Sequence, residues 1–240
     1  MNKQHILSVI DKYYLNGLIE NARWKVENKE ISIPFKSPNK DMVGLIKASA
    51  FELEDCEIAI YSTSQLYKLV NITDKFVTLD LLVEHKTPTK LLIADLNYNL
   101  EYSLANLMMV GDASLKEEPE YEYEFKIDRE FIDKFVKAKK ALSTSNISIE
   151  VEYNEEANKE VKFTLGDNNN YSNKIEFITP ATKMEIPSST FMYNAEYLKE
   201  IFETNKDIKS GTCYLSEQGL MKINIQTENI ESFYYLLAKE

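Results

Sequence analysis

The sequence predicts an α+β fold built from two copies of one domain, each a pair of helices backed by antiparallel sheets. Its 240 residues exceed the ~100–150 residues usual for a single domain, so two domains are expected. Helical and strand-like segments also follow one another in the same order in both halves, and a short residue pattern recurs between them.

The first half opens with an amphipathic segment. Ile6, Leu7, Ile10 and Tyr13 recur at three- and four-residue spacing, which predicts a helix over Asn2–Leu18. β-Branched and aromatic runs then predict strands around one further helix. In order, these are strands Trp24–Phe35, Met42–Phe51 and Glu57–Tyr61, helix Ser62–Asn71, and strands Phe76–Glu84, Lys90–Leu96 and Tyr98–Val110.

The second half repeats this order after an acidic segment. Residues 112–124 carry Pro119 and lack a helical period, so we interpret them as a linker between domains 1–111 and 125–240. The predicted second-half elements are helix Asp128–Ser143, strands Asn146–Tyr153, Lys159–Leu165 and Lys174–Thr179, helix Asn194–Asn205, and strands Thr212–Leu215, Leu220–Gln226 and Ser232–Ala238.

A residue pattern supports duplication. Tyr61-Ser62-x-x-x-Leu66 aligns without a gap on Tyr193-Asn194-x-x-x-Leu198, and an apolar stripe continues in both copies. Each copy predicts a strand that ends in Tyr, a capping residue and then a helix. In the first copy, Gln65 stands three residues after Ser62, which predicts a capping box.

Composition and missing motifs limit the function classes. The chain has no phosphate-binding loop, no G-x-G-x-x-G, and two histidines 80 residues apart, so we expect no catalytic residues, metal or cofactor. Cys56 and Cys213 form no motif, which is typical of a reduced intracellular protein. No apolar run reaches the ~20 residues of a membrane span, and the first residues are not a signal peptide.

The net charge of −11 argues against nucleic acid unless the basic residues cluster. Taken helix by helix, such charges are typical of a solvated face. All four predicted helices nonetheless present some basic residues outward, whereas the linker and several strand ends are acidic. This distribution indicates a basic surface that contacts phosphates without reading bases. The candidate DNA-facing residues are Lys12, Lys68, Arg129, Lys134, Lys137, Lys140, Lys199 and Lys206. Lys139 falls within an apolar arc, so it must snorkel or lie past the helix end.

Two segments resemble a known family. FELEDCEIAIYSTSQLYKLVNITD (residues 51–74) is similar to a segment of the sliding clamps of T-even-type bacteriophages, where a strand ending in A-I-Y leads into a short helix and L-V-N. IDREFIDKFVKAKKALSTSNISIEVEY (residues 127–153) is similar to the helix–strand opening of the second clamp domain. The two-domain order agrees over nearly the whole chain.

The resemblance implies a fold of two duplicated DNA-clamp domains that assemble into a ring. Clamps close with six such domains, so two per chain imply a homotrimer with head-to-tail interfaces. By analogy, strands near Tyr98–Met109 and Lys174–Thr179 would join the subunits. The ring would encircle duplex DNA, tether a DNA polymerase, and be opened by an ATP-driven clamp loader in the cytoplasm of an infected bacterial host.

The resemblance also implies a hydrophobic pocket for partner peptides beside the linker. Its candidate residues are Leu115, Tyr121, Leu236 and Leu237, although core packing is the alternative for the last two. Two features depart from the family pattern. The chain begins almost directly in its first helix, where the second domain has an opening strand at residues 122–127, and the first-half helices are poor in lysine.

Two other functions compete with the clamp. A phage protein-interaction or scaffold module would use the same duplicated fold without encircling DNA. An acid-dependent hydrolase would need carboxylates that converge in a cleft, and the acidic residues occur instead as runs typical of solvated charge.

Overall fold

A computed structural model of the chain describes residues 1–111, 113, 117–154, 156–166 and 172–239. It divides into two compact units, Met1–Ser114 with Asn229–Ser232, and Leu115–Glu228 with Phe233–Glu240. Each unit contains two α-helices packed together and antiparallel strands. The α+β fold class predicted from the repeated helix–strand order is therefore present in both halves.

The first unit has two sheets. One runs in the order β3-β2-β1-β4 and the other in the order β5-β6-β7. The bounds are α1 Lys3–Tyr14, β1 Ala22–Glu27, β2 Glu30–Lys36, β3 Met42–Ala48, β4 Cys56–Ile60, α2 Thr63–Ile72, β5 Thr78–Glu84, β6 Thr87–Ala94 and β7 Asn99–Ser103. Short 3-10 turns cover Leu15–Gly17 and Leu107–Met109.

The second unit has eight strands in the order β12-β9-β10-β11-β8-β13-β14-β15. The bounds are β8 Tyr123–Ile127, α3 Arg129–Ala141, β9 Asn146–Tyr153, β10 Lys159–Leu165, β11 Ile175–Met184, β12 Ser189–Asn194, α4 Ala195–Thr204, β13 Ser210–Leu215, β14 Leu220–Gln226 and β15 Ile230–Leu237. Strand β8 includes Tyr123 and Glu124, the last two residues of the predicted linker.

Aromatic side chains form both cores. In the first unit, the Trp24 ring lies edge-on to Tyr13 and Phe51, with centroids 6.4 and 5.7 Å away. The Tyr13 hydroxyl accepts hydrogen bonds from the Trp24 indole and the Thr63 hydroxyl, both 3.3 Å long. Because all three groups are buried, this bonding satisfies polar atoms that water cannot reach.

The second core is a phenylalanine cluster beneath α3 and α4. Phe131 and Phe135 of α3 contact Phe202 of α4, with ring centroids 5.5 and 4.8 Å apart. On the sheet below, Phe163 and Phe177 stack at 4.9 Å. Edge-to-face and offset contacts of this kind add to the stabilisation that burial itself provides.

The structure corrects several sequence-based boundaries. The single strand predicted over Trp24–Phe35 is the hairpin β1–β2, which turns at Asn28 and Lys29, both in the left-handed region. The first helix ends at Tyr14, because Leu15 adopts a left-handed conformation. The strand predicted to reach Val110 ends at Ser103, and β11 continues past Thr179 to Met184.

The capping box predicted at Ser62 is wrong. The Ser62 side chain makes no capping hydrogen bond. Instead, the carboxylate of Glu20 accepts from the Ser64 backbone amide at 3.1 Å and supplies the cap from outside the helix. The equivalent position in the other half behaves as predicted, since the Asn194 side chain accepts from the amides of Glu196 and Tyr197.

The chain start takes the place that β8 holds in the second unit. Asn2 forms a single antiparallel bridge with Phe76, and Met1 and Val77 exchange backbone hydrogen bonds. In the second unit, β8 pairs over its whole length with β13, the strand that follows α4 as β5 follows α2. The shortened opening expected from the sequence is therefore present as one bridge.

Candidate nucleic-acid interface

Helix α3 carries the densest positive charge on any helix that the structure describes. The Asp128 side chain caps it by accepting from the Phe131 amide at 2.8 Å. Phe131, Ile132, Phe135 and Val136 are buried, which fixes the opposite face toward solvent. Five basic and two acidic side chains give α3 a net charge of +3.

The outward cations of α3 differ in whether an acidic side chain neutralises them. Arg129 lies 3.1 Å from Asp133 and also donates to the Lys206 carbonyl, and Lys134 lies 2.7 Å from Glu130. Lys140 lies 2.6 Å from Glu203 of α4. Lys137 is exposed, and within the described part of the chain no ion pair holds it. It is therefore the side chain on this face most available to a phosphate.

Helix α4 is acidic on balance, with a net charge of −2. Lys199 is only 20% exposed, and its ammonium lies 2.8 Å from Glu196 and 2.5 Å from Glu200. Lys206 lies past the helix end, 3.7 Å from Glu203. Both predicted DNA-facing lysines are thus partly neutralised within the chain, Lys199 more completely.

A charged network joins α3 to α4. The Lys139 side chain is 8% exposed, and it leaves the apolar arc to reach Glu196 at 3.1 Å. Hydrogen bonds from Lys199 and Lys139 outweigh the effect of burial and lower the pKa of Glu196 to about 2. Lys199 in turn donates to the carboxylates of Glu196 and Glu200, and these hydrogen bonds raise its pKa. Lys139 therefore joins the helices and is not available to DNA.

The helices of the first unit present fewer exposed basic side chains than α3 does. Lys68 of α2 is exposed, as predicted. Lys12 of α1 is not, because its side chain is only 1% exposed, so its predicted outward orientation is wrong. The buried stripe of α1 also includes Val9, and Lys12 lies three residues further along the same side. The sequence periodicity was traced through Ile6 and Ile10 alone, so it missed that the buried face of α1 extends to Val9 and Lys12.

Charge is separated along the chain. The four helices together carry +3, so the remaining segments carry −14 of the total of −11. Helix α3 has the largest net positive charge of the four, +3. An anionic ligand attracted by this protein would therefore meet α3 first, whereas acidic surfaces elsewhere would repel it.

Several strands have an edge that no described strand pairs with, and β7 and β11 are among them. Strand β7 is the end of its sheet and pairs only with β6. In β11, residues 175–180 pair with β10, whereas pairing with β8 begins only at Ala181. Ile178 on this stretch is 53% exposed. Unpaired edges of this kind are templates for pairing with another chain.

A cavity of about 390 Å³ lies in the first unit beside the 3-10 turn that ends at Met109. Pro34, Pro38 and Val110 contribute apolar walls, and Lys36 and Lys40 add positive charge. The Arg23 guanidinium fixes the turn by donating to the carbonyls of Val110 at 2.7 Å and Leu107 at 2.6 Å. Nothing in the sequence brings Arg23 and Val110 together, because 87 residues separate them.

The predicted partner-pocket residues lie in different environments. Leu236 is 2% exposed and belongs to the core, so it cannot line an open pocket. Leu237 is 53% exposed, which excludes core packing for its side chain. Tyr121 is half-buried and packs on Tyr214, with ring centroids 5.7 Å apart. Leu115 lies outside the described residues.

Other site types are not formed by the residues described. Across the ranges given above, no three His, Cys, Asp or Glu side chains converge as metal ligands would. The same ranges contain no helix with the length and apolar character of a membrane span. Cys56 and Cys213 are both free thiols, and burial raises the pKa of Cys213.

The chain is similar in structure to proteins named PCNA. It matches the proliferating cellular nuclear antigen of Entamoeba histolytica with a TM-score of 0.77 and 14% identity, covering 100% of this chain and 96% of that one. It matches A. fulgidus PCNA, solved with the C-terminal region of FEN-1 bound, with a TM-score of 0.77 and 13% identity, covering 100% and 97%. A PCNA2–PCNA3 complex from Sulfolobus tokodaii gives 0.71 and 13%, covering 100% and 97%.

No family model matches the sequence, and no curated protein matches it. At 12–14% identity, the likeness to solved structures establishes the fold. The chain has the PCNA-like clamp fold, α+β with extensive antiparallel sheets, as the sequence predicted.

Proposed function

We propose that this chain is one subunit of a ring-shaped sliding clamp, a non-enzymatic processivity factor that encircles duplex DNA and tethers a replicative polymerase. The observation that carries the proposal is the clamp fold over the full 240 residues, at TM-scores up to 0.77. The charge pattern adds support, because α3 carries a net charge of +3 in a chain whose total is −11.

The proposed contact with DNA is weak and independent of sequence. Flexible lysines such as Lys137 would neutralise phosphates without reaching base edges, so affinity would fall steeply with salt. A ring needs only such contacts, since topology prevents dissociation from the duplex. Tethering raises the effective concentration of a polymerase at the primer end and requires no tight bond to DNA.

The proposed assembly is a homotrimer. Three copies of a two-unit chain supply six units, and a head-to-tail arrangement under threefold symmetry closes. The unpaired edges of β7 and of β11 residues 175–180 are the surfaces that such an interface would join. Pairing them would also remove two edges that otherwise invite aggregation.

Partners are proposed to dock through peptides. The A. fulgidus clamp binds the C-terminal region of FEN-1, and a cavity of about 390 Å³ here offers apolar walls between Lys36 and Lys40. We place the polymerase and the ATP-driven loader peptides at this cavity, whose wall at Met109 and Val110 is fixed by Arg23. Leu236 is buried, so we no longer propose it as a pocket residue, and the cavity is the candidate pocket instead.

We further propose that the clamp comes from a bacteriophage. It rests on the resemblance of residues 51–74 and 127–153 to T-even-type clamps. A clamp of this origin would act in the cytoplasm of the infected bacterium with the phage polymerase.

The solution mass tests assembly first. Light scattering over a dilution series at moderate salt should give three times the 27.8 kDa chain mass. A chain that stays monomeric at every concentration, with and without loader and DNA, would contradict a ring.

Retention on DNA tests encirclement directly. Loaded protein should stay on nicked circular DNA through a high-salt wash and slide off after one cut linearises the circle. A protein-interaction module with the same fold would show no dependence on circularity. Equal loss from both DNA forms would therefore favour the scaffold function over the clamp.

A further inference from the structure

A second cavity, of about 300 Å³, lies beside the loop that follows helix α3 in the second unit. Its walls are mostly hydroxyl and amide side chains, with Met192 as an apolar wall. The polar lining residues are Ser143, Thr144, Ser145, Asn146 and Ser148. No acidic residue is among those that line it, although the chain has 39 acidic and only 28 basic residues. This hydroxyl-lined cavity has the size of a site for a small polar ligand.

The hydroxyl-lined cavity lies on the face of the sheet that points away from the helices. In β9, Ile147 and Ile149 are buried, whereas Ser148 between them is only half-buried. Met192 pairs with Ser148 across the strands and is 43% exposed. Because successive side chains of a strand point to opposite faces, Ser148 and Met192 lie on the face away from the core. The cavity is therefore separate from the outward lysines of α3.

Lys239 supplies a positive charge at this cavity. Its ammonium donates to the Asn146 side-chain oxygen at 2.6 Å, and its backbone amide donates to the Met192 carbonyl at 2.7 Å. The ammonium has three donors, so two remain for a ligand. The side chain is exposed, and no acidic residue of the described ranges forms an ion pair with it. The carbonyl end of α3 disfavours an anion by itself, so anion binding here would depend on Lys239.

The hydroxyl of Thr144 is a buried group without a partner. Its oxygen is shielded from solvent and makes no hydrogen bond to any residue that the structure describes. Unpaired buried polar atoms are unfavourable in native structures and can mark the place of a bound molecule. The loop is fixed, because the Ala195 amide donates to the Ser145 carbonyl at 3.0 Å. Rotation about χ1 of Thr144 can present its hydroxyl to an acceptor in the cavity.

These groups match a phosphate ester. Lysine, serine, threonine and asparagine side chains are the usual partners of phosphate and sugar oxygens in complexes with nucleic acids. Hydrogen bonds from such donors to a charged phosphate are stronger than those between neutral groups. A volume of about 300 Å³ leaves room for the sugar beside the phosphate, and Met192 offers it a flexible apolar contact.

We propose that the hydroxyl-lined cavity binds the phosphate and sugar of a single nucleotide, with Lys239 paired to the phosphate and the hydroxyls of Thr144 and Ser148 donating to it. Two sources have this chemistry: a free mononucleotide, and the 5′-phosphorylated end of a DNA strand. The proposal does not rest on the proposed clamp function, because the cavity lies on the side of the sheet opposite to α3.

Isothermal titration calorimetry at low salt tests the site, with the full-length protein and deoxythymidine 5′-monophosphate as the probe. Binding should be saturable, whereas thymidine, which lacks the phosphate, should not bind. Lys239→Met should weaken binding by about fivefold, as expected for an exposed ion pair. Thr144→Val should weaken it by about tenfold, because it removes a hydrogen bond to a charged group. Ser188→Ala, an exposed hydroxyl outside the cavity, is the control and should bind like wild type.

A stability measurement separates ligand binding from a structural role of Thr144. Valine keeps the shape of threonine and removes a hydroxyl that has no partner in the free protein. The urea midpoint of Thr144→Val should therefore equal or exceed that of wild type. A lower midpoint would show that the hydroxyl bonds within the protein and would overturn its assignment to the ligand.

An oligothymidine of about ten nucleotides, with and without a 5′ phosphate, distinguishes the two sources. Tighter binding of the phosphorylated strand than of the mononucleotide identifies a strand end, and weaker binding identifies the free nucleotide. No saturable binding of the mononucleotide, equal binding of thymidine, or unchanged affinity in Lys239→Met would overturn the proposal. Retention on circular DNA should stay at the wild-type level in every variant, so the outcome for this site and the outcome for encirclement are independent.

Discussion

The two helix pairs share one scaffold and differ in what their solvent faces carry. Lysine and arginine crowd α3. The first pair instead buries Lys12 of α1 and carries the stacked rings of Tyr14 from α1 and Tyr67 from α2, 6.2 Å apart. Their interiors differ as well, since Tyr13 anchors one through hydrogen bonds and phenylalanines fill the other. The two units thus share the packing of two helices on a sheet but differ in the charge of the helix surfaces. We therefore expect uneven DNA contact between the units.

The phenylalanine interior gives the largest expected effect. Phe135→Ala removes a fully buried ring that contacts Phe131, Phe177 and Phe202. It should lower the free energy of unfolding by ~3–5 kcal/mol, measured by urea denaturation followed by circular dichroism. Phe76→Ala, at a side chain 65% exposed, is the control and should change stability by less than ~0.5 kcal/mol. A small effect at Phe135 would mean that the cluster is loosely packed.

The hydrogen-bonded interior of the other helix pair should be less costly to disturb. Tyr13→Phe keeps the ring but leaves the buried Trp24 indole without its acceptor. The expected loss is ~1–3 kcal/mol. Trp24 is the only tryptophan in the chain, so its fluorescence follows unfolding at this site directly. Stability equal to wild type would show that another acceptor replaces the hydroxyl.

Charge reversal tests the difference between the solvent faces. Lys137→Glu with Lys140→Glu should weaken loading and processivity and leave the assembled mass and fold unchanged. Among single neutral variants, Lys137→Gln should lower the salt dependence of DNA binding by about one unit of slope. Lys140→Gln should do less, because Glu203 already neutralises Lys140. Unchanged processivity in the double reversal would show that α3 does not face DNA.

The smallest effect concerns pH. The pKa of Glu196 in the folded chain is about 2, below its ordinary value of 4.5, because Lys199 and Lys139 bind the carboxylate. The ionised carboxylate therefore stabilises the folded chain. This contribution to the free energy of unfolding is fully present above pH 4.5 and is lost as the pH falls toward 2. Since Glu196 is 45% exposed, screening limits it to ~1 kcal/mol or less.

Urea denaturation at pH 6 and pH 3 checks this prediction. Glu196→Gln should lose less stability between the two pH values than wild type does. Glu130→Gln, whose carboxylate is 75% exposed in its pair with Lys134, should follow the wild-type profile. Identical profiles for all three proteins would mean that the network contributes nothing measurable.

Local signals in the sequence were enough to place most elements. Asp128 and Asn194 cap α3 and α4 within one residue of the predicted starts, because a capping side chain bonds to amides two or three residues away. The β1–β2 turn was missed because Asn28 and Lys29 adopt positive φ without the glycine that usually marks such turns.

Sites assembled from distant segments could not be predicted in this way. Asn146 and Lys239 are 93 residues apart, and Arg23 is 84 residues from Leu107, so no periodicity connects them. The DNA-facing residues could be predicted only in part. A helical wheel gives a face but not its neighbours, and Glu203, which neutralises Lys140 of α3, belongs to a different helix.

Phe177 links two surfaces that the proposed ring would use. It lies on the unpaired stretch of β11, yet its ring contacts Phe131 and Phe135 beneath the basic face of α3, at 6.1 and 6.2 Å. Side-chain packing therefore couples the outer stretch of β11 to α3. In the proposed ring, we expect opening to separate the subunits before β11 peels from its own unit, because peeling would first unpack the phenylalanine core.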